Sequence, residues 1–136
     1  QEGHRVADHG AAVVRVVAPL DQTRDWPTVK SFAERFTRAI AEAEPKLFTA
    51  NIRKVQRKDR IFLDWLRNQR GATAVMPYSA RGREGAPVAA PIAWDELDKY
   101  SGGNHFSIRD VDELIERASS KMLAGWGKAK QALPDA

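Results

Sequence analysis

A chain of 136 residues and 15.2 kDa, with 43% hydrophobic and 29% charged residues, has the composition of an ordinary globular domain. This composition excludes collagen-like and low-complexity proteins, and the absence of cysteine excludes disulfides, thiolate metal sites and a cysteine nucleophile. The longest apolar run, residues 11–20, is interrupted by Arg15 and is far shorter than the roughly 20 residues of a membrane-spanning helix. We therefore expect one soluble domain over residues 1–136, with no membrane contact and a cytoplasmic location.

The basic residues are concentrated in one stretch of the chain. The net charge is +4 and the isoelectric point is about 9.6. Nine basic and two acidic residues lie between Arg53 and Arg83, which gives that stretch a charge of +7 and leaves −3 for the remainder. A basic block in a slightly acidic protein is typical of a surface that follows nucleic-acid phosphates, because bound Lys and Arg release condensed counterions. A solvated basic face without a partner is the alternative interpretation.

The first predicted elements are a strand and a long helix. Residues 12–18 are rich in valine and precede a proline, which predicts a strand buried on both faces. Asp25 and Pro27 then open a helix, since proline fits the first turn. Pro45 cannot continue this helix, which is expected to end near Ala43. The helix has an apolar face that is predicted to face the core, and it consists of Val29, Phe32, Ala33, Phe36, Ile40 and Ala43.

The next stretch is predicted to contain a basic loop and a second strand. Residues 46–51 are expected to be a connection, and residues 54–59 a basic loop or hairpin, because they lack apolar periodicity. Residues 60–66 alternate between the two sides of a predicted strand, which places Asp64 on or just beyond a strand end.

Turns and a loop follow. We expect a turn at residues 70–71 and a short strand or helical turn over residues 72–76. Residues 79–87 include two glycines and a proline, and so predict a loop. Arg81 and Arg83 lie on that loop.

The last third of the chain is predicted to be helical. Residues 94–97 begin a short helix that the following glycines end. Ser107 and Asp110 have the spacing of a capping box, so a helix is expected over residues 108–119, and residues 122–136 form a packed or frayed terminus. The apolar stripe of this helix consists of Ile108, Val111, Leu114, Ile115 and Ala118. Taken in order, the elements predict a mixed α/β (α+β) domain, a mixed sheet with flanking helices.

Three residues are candidates for chemistry. Asp64 has apolar neighbours in sequence, and a carboxylate in such surroundings is paired, metal-bound or at an open edge. A metal ligand and a salt bridge to a nearby arginine are both open interpretations. Arg81 and Arg83 are two residues apart in a loop, where they either project together onto a phosphate group or are simply exposed charges.

Two other patterns are rejected as sites. Asp110 and Asp112 have the spacing of an Asp-x-Asp metal motif, but on a helix their side chains point roughly 200° apart and cannot hold one ion together. His4, His9 and His105 lack the spacing of a histidine zinc site. The residues by themselves therefore predict a basic α/β domain suited to a nucleic-acid partner.

Several ordered segments are the most specific signal in the chain. They are residues 60–68 (RIFLDWLRN), 71–79 (GATAVMPYS), 85–91 (GAPVAAP) and 94–97 (WDEL). Their order and spacing resemble the polymerase domain of bacterial DNA ligase D, a family of the archaeo-eukaryotic primase superfamily. Residues 16–20 (VVAPL) are similar in the same register, so the resemblance runs from about residue 14 to residue 108. It implies a primase-polymerase-like fold and the addition of nucleotides at broken DNA ends during non-homologous end joining.

The resemblance also implies roles for individual residues. It implies that the reaction is the two-metal nucleotidyl transfer of the family, in which Mn²⁺ or Mg²⁺ activates the primer 3′ hydroxyl and bridges the triphosphate. Asp64 would be the third metal-binding, catalytic carboxylate. Arg81 and Arg83 would bind the incoming nucleotide, with Asn68 near the same site. The basic loop would contact DNA, through Arg57 in particular, and its residues are Lys54, Arg57, Lys58 and Arg60.

Two family motifs depart from the pattern in this sequence. The Asp-x-Asp pair that the family carries well upstream of Val14 has no counterpart, so two of the three metal carboxylates are missing. The family motif Ser-Gly-Gly-Lys-Gly-Leu-His aligns without gaps with residues 9–15 (HGAAVVR), where Arg15 replaces the nucleotide-binding histidine. Arg15 keeps a positive charge but lacks the ring nitrogen. We therefore expect no polymerase activity from this chain alone.

These departures predict a truncated polymerase domain, its C-terminal portion, in which residues 1–13 are a divergent segment. Such a chain is expected to be inactive alone and to bind DNA ends or nucleotide with low affinity. Half a domain would leave a sheet edge and an apolar face uncovered, so self-association or a partner chain is expected to cover them. The alternative is a non-catalytic interaction module that pairs with another chain of an end-joining complex.

Overall fold

The chain divides into two compact units, which are described separately. The structure is a computed structural model that describes residues 14–100, 102–128 and 130–134. Of these residues, the first unit comprises 14–18, 75–100 and 102–128, and the second comprises 19–74 and 130–134. In the described ranges, no helix combines the length and the apolar character that a bilayer crossing requires. That residues 1–136 behave as a single domain stays a prediction.

The main element of the second unit is helix α1 (Trp26–Ala43). The Asp25 carboxylate caps it by accepting a hydrogen bond from the Thr28 N–H at 3.0 Å, and a proline occupies its first turn. Both ends agree with the prediction, because the capping residue and the prolines act locally. The predicted burial of its apolar face is wrong: no residue of α1 is buried, and Phe36 is 57% exposed.

Two short parallel strands lie beside α1 in the same unit. Strand β1 (Phe48–Thr49) pairs with β2 (Ile61–Phe62), with Phe48 opposite Ile61. The Leu63 N–H donates to the Thr49 carbonyl at 2.9 Å, which is the last bond of the pair. Helix α1 packs against β1, and a strand of two residues covers only part of the helix face, which explains the exposure of Phe36.

Three predictions for this region are corrected. Residues 46–51 are more than a connection, because they contain β1. The basic stretch is a 3-10 helix, Lys54–Arg57, and not a hairpin, since parallel strands need a crossover rather than a tight turn. The strand predicted over residues 60–66 is reduced to β2, because β1 offers pairing for two residues only.

The valine-rich segment and residues 72–76 do not form the predicted elements. Residues 14–18 have no regular structure, and the side chains of Val14, Val16 and Val17 are exposed. Residues 12 and 13 of that predicted strand lie outside the described residues. Strand propensity needs a pairing partner, and no described strand pairs with either segment. Residues 72–76 are likewise irregular.

The chain end is packed in the second unit. Leu20 forms a parallel bridge with Gln131, supported by the Asp21 N–H donating to the Gln131 carbonyl at 3.1 Å. Leu133 is buried. Of the two expectations for the terminus, packing is therefore the one observed for residues 130–134.

The first unit is built from single bridges and short helices around a small core. Antiparallel bridges join Ala80 to Val88 and Pro87 to Ser107. The helical segments are the 3-10 helices Trp94–Lys99, Ile108–Asp110 and Lys121–Leu123 and helix α2 (Val111–Ala118). The core cluster consists of Val88, Phe106 and Leu114. With helices and strands mixed along the chain, the predicted α/β class is confirmed.

The helix predicted over residues 108–119 is confirmed together with its cap. The Asp110 carboxylate accepts hydrogen bonds from the Ser107 N–H at 2.8 Å and from the Ser107 hydroxyl at 3.1 Å. Its apolar stripe is only partly covered, because Leu114 is buried while Ile115 is exposed. The stripe therefore forms one wall of an open groove, whose lining is described below.

Candidate nucleic-acid interface

The basic segment, residues 53–60, presents two lysines to solvent. The Arg53 N–H donates to the Asn51 side-chain carbonyl at 2.9 Å, which starts the 3-10 helix Lys54–Arg57. The Lys54 and Lys58 side chains are exposed on this short helix and the turn that follows it. Exposed ammonium groups close together in sequence are suited to phosphate oxygens, since each neutralised phosphate releases counterions.

Two of the three arginines of the basic segment, Arg57 and Arg60, are held by the protein itself, while Arg53 is exposed. The Arg57 guanidinium lies over the Phe62 ring at 3.9 Å from its centroid, and its Nη2 donates to the Ile52 carbonyl at 2.6 Å. Arg60 donates through Nη2 to the Gln56 side-chain carbonyl at 3.1 Å. The contact with DNA predicted for Arg57 thus starts from a half-buried, stacked guanidinium, whereas the lysines are unobstructed.

Asp64 lies just beyond strand β2, as predicted, and is exposed. Its carboxylate accepts a hydrogen bond from the Leu66 N–H at 3.0 Å, which stabilises the turn that follows the strand. The Asn68 side chain donates to the Trp65 carbonyl at 3.0 Å in the same turn. Over the described residues, Asp64 makes no ion pair with an arginine and belongs to no group of three potential metal ligands.

Arg81 and Arg83 lie on the predicted loop, which is closed by backbone pairing. The Arg81 N–H donates to the Pro87 carbonyl at 2.9 Å, and the Ala86 N–H donates to the Arg83 carbonyl at 2.9 Å. Gly85, with φ of 78°, provides the left-handed conformation that this tight loop requires. Arg83 is exposed and Arg81 half-buried. The loop belongs to the first unit and Asp64 to the second, so their association in one site stays a prediction.

A buried ion pair in the first unit was missed by the sequence analysis. Arg117 donates through Nη1 to Glu96 Oε1 at 2.8 Å and through Nη2 to Glu96 Oε2 at 2.9 Å, which makes a bidentate ion pair. Glu96 is only 3% exposed. Its carboxylate also accepts from the Tyr100 hydroxyl at 2.9 Å and from the Ala93 N–H at 2.8 Å.

This cluster ties helix α2 to the segment before it. Arg117 Nη2 also reaches the Pro91 carbonyl at 3.2 Å, and its guanidinium lies 5.0 Å from the centroid of Phe106 in the core. The hydrogen bonds from Arg117 lower the pKa of Glu96 to about 2, and burial raises the pKa of the Tyr100 hydroxyl. The sequence signal was an arginine three residues after Leu114, on the buried side of an amphipathic helix.

Two residues of the rejected metal-site patterns, Asp110 and His105, have structural roles. Asp110 serves as the capping carboxylate of Ser107 and is unavailable for a shared ion with Asp112. The His105 ring packs at a tilted angle against Tyr100, with ring centroids 4.4 Å apart, and edge-on against Phe106, with ring centroids 4.8 Å apart. His4 and His9 lie outside the described residues.

Comparison with known proteins shows which protein family this chain matches. Residues 8–122 match the family model of the LigD primase-polymerase domain. The chain is 34% identical over 125 residues to the multifunctional non-homologous end joining protein LigD of Pseudomonas aeruginosa, covering 91% of this chain and 15% of that protein. It is 37% identical over 87 residues to the bifunctional LigD of Bacillus subtilis, covering 61% of this chain and 14% of the relative.

A solved structure shares the fold. The polymerase domain from Mycobacterium tuberculosis ligase D, solved in complex with DNA, matches with a TM-score of 0.63 and 33% identity. The match covers 80% of this chain and 35% of that one, so the chain spans about a third of the solved domain. The family match extends beyond the predicted limits of about 14 and 108 at both ends, and therefore includes residues 9–15.

Proposed function

This chain belongs to the LigD primase-polymerase family, and on that premise we propose that it supplies DNA- and nucleotide-contacting surface for nucleotidyl transfer in non-homologous end joining. The observation that carries the proposal is the basic segment, residues 53–60, with Lys54 and Lys58 exposed. The DNA in the related polymerase-domain structure supports a DNA partner. Alone, the 136 residues bind DNA and nucleotide with low affinity and transfer no nucleotide.

The described part of the site has too few ligands for a pair of catalytic metal ions. Family nucleotidyl transfer depends on divalent cations, which need several carboxylates in fixed positions. Among the described residues, Asp64 belongs to no group of three or more histidine, aspartate or glutamate side chains that could hold a metal ion. The residues that the structure describes do not fit a Mn²⁺ or Mg²⁺ pair, and no step of the proposed function passes through one.

The remaining residues act by charge. Lys54 and Lys58 would neutralise phosphates along a DNA strand, while stacking on Phe62 would hold Arg57 in a fixed orientation toward the same strand. Arg83, exposed on its closed loop, would meet a triphosphate with Arg81 beside it. None of these contacts requires a metal.

The salt dependence of DNA binding tests the first part of the proposal. We expect the affinity for a duplex end, measured by fluorescence anisotropy, to fall steeply with salt, and Lys58→Ala to reduce the log–log slope by roughly one. Lys54→Ala should do the same, and Lys121→Ala, an exposed lysine outside the basic block, should leave the slope unchanged. An interaction module that never contacts DNA would show no salt-dependent binding at all, and equal slopes in all variants would contradict the assignment.

Thermal shift tests the nucleotide part. A nucleoside triphosphate alone should raise the unfolding midpoint, because it binds only the folded chain, and Arg83→Ala should abolish the rise. Added Mn²⁺ should bring no further rise in the parent or in Asp64→Ala. A Mn²⁺-dependent rise that Asp64→Ala removes would show a surviving metal–nucleotide site and would contradict the conclusion that the described residues do not fit the metal.

A further inference from the structure

The first unit carries an apolar groove between helix α2 and the bridged segments. Its volume is about 310 Å³. Leu114 is buried, whereas Ile115 is 63% exposed. The residues that line it include Tyr78, Val88, Ile108, Val111, Leu114 and Ile115. Contiguous exposed apolar surface of this kind marks an interaction site.

One edge of the groove is acidic. Asp112 and Glu116 each follow a lining residue, Val111 and Ile115, and are exposed. One turn apart on α2, the two carboxylates lie on the same side of the helix. The only basic residue of α2 is Arg117, whose charge is already matched by the buried Glu96. The exposed Arg109, three residues before Asp112, offsets part of this charge. A ligand of the groove would therefore meet apolar side chains beside an edge with two carboxylates and one guanidinium, which is net negative.

The basic segment presents the complementary surface. Val55 is 85% exposed, the largest value among the exposed large apolar side chains of the described residues. It lies in the 3-10 helix Lys54–Arg57, with the exposed Lys54 before it and the exposed Lys58 three residues after it. An apolar side chain flanked by ammonium groups matches an apolar groove with a carboxylate edge.

We propose that this chain self-associates by inserting Val55 of one copy into the groove of a second copy, with Lys54 and Lys58 against Asp112 and Glu116. The two surfaces differ, so the contact is heterologous, and an associated pair keeps one free groove on one copy and one free basic segment on the other for further copies. Because the same lysines are the DNA contacts of the proposed function, DNA and a second copy compete for them. This competition, unlike the contact itself, rests on the proposed function.

Light scattering on the 136-residue chain, over a wide range of protein concentration and at low and high salt, tests the contact. We expect the mass to rise with concentration at low salt and to return to that of a monomer at high salt, because the charges are screened. Val55→Glu and Ile115→Glu should each remain monomeric, and both positions are exposed, so folding should persist. Trp94→Glu, an exposed position outside the groove lining, should associate like the parent.

A mixing experiment makes the test specific. Val55→Glu retains an intact groove and Ile115→Glu an intact basic segment, so an equimolar mixture should form a one-to-one dimer that does not grow. The proposal would be overturned if the parent stayed monomeric at every concentration. It would also be overturned if Val55→Glu associated by itself, because that result would point to a groove-to-groove contact or to another surface. A mixture that stays monomeric would overturn it as well.

Charge reversal provides a second set of variants. Lys54→Glu with Lys58→Glu should abolish association, and mixing it with Asp112→Lys/Glu116→Lys should restore it. Ile115→Glu should still bind DNA with the parental salt slope, so a failure of self-association is distinguishable from a failure of DNA binding. If DNA binds the parent without dissociating the assembly, the shared use of the lysines is wrong.

Discussion

The two units are stabilised by different features. The first unit has a buried cluster of Val88, Phe106 and Leu114 and the buried pair of Glu96 and Arg117, yet its regular helix is short. The second unit has the long, well-capped α1, and no residue of that helix is buried. Regular secondary structure and burial are thus separate properties in this chain.

The difference has a physical origin in how each element is specified. A cap and two prolines set the length of α1 locally, but an isolated helix is marginal without packing of its apolar face. The ion pair in the first unit joins segments that are far apart in sequence, and removing either partner would leave a buried charge. We expect the first unit to be the more resistant to unfolding.

The largest expected effect comes from breaking the buried ion pair. Arg117→Ala should destabilise the first unit by about 4 kcal/mol, because Glu96 keeps its charge in a buried position. Arg38→Ala removes the exposed pair with Glu34 on α1 and should change stability by less than about 1 kcal/mol. Denaturant unfolding followed by circular dichroism measures the unfolding free energy of both variants. Equal losses of stability would contradict the contrast between the units.

The same pair makes the first unit sensitive to acid. The pKa of Glu96 is lowered from 4.5 to about 2, so its contribution is present above about pH 4.5 and is lost as the pH falls towards 2. The stability lost over this pH range is on the order of 3 kcal/mol, as follows from the size of the pKa shift. Thermal unfolding between those pH values should show a decline that Glu96→Gln flattens, and a parallel decline in the variant would assign the acid sensitivity to other groups.

The smallest effect is expected at the cap of α1. Asp25→Ala removes the acceptor for the Thr28 N–H and should cost about 1 kcal/mol, seen as a loss of helical signal on mild heating. Asp21→Ala is the matched control, because Asp21 accepts from the Thr23 N–H in a turn outside the helix. An equal loss of helical signal in the control would show that α1 does not depend on its cap.

The candidate site was predictable where its signals are local or motif-like. The position of Asp64 after a strand, the loop that carries Arg81 and Arg83 and the basic character of residues 53–60 follow from sequence pattern. The stacking of Arg57 on Phe62 did not follow, because it depends on β2 pairing in parallel with β1. The roles of these residues in binding stay predictions.

From the sequence we could predict the family, the mixed class, the ends of α1 and the capping box of the 3-10 helix Ile108–Asp110, because caps, prolines and ordered motifs act through neighbours in the chain. The burial of individual apolar residues is instead set by how the folded chain packs. The valines of residues 14–18 have strand propensity but no partner strand among the described residues, and Phe36 lies on a helix face that a short strand only partly covers. Burial depends on contacts between distant segments, which local pattern does not encode.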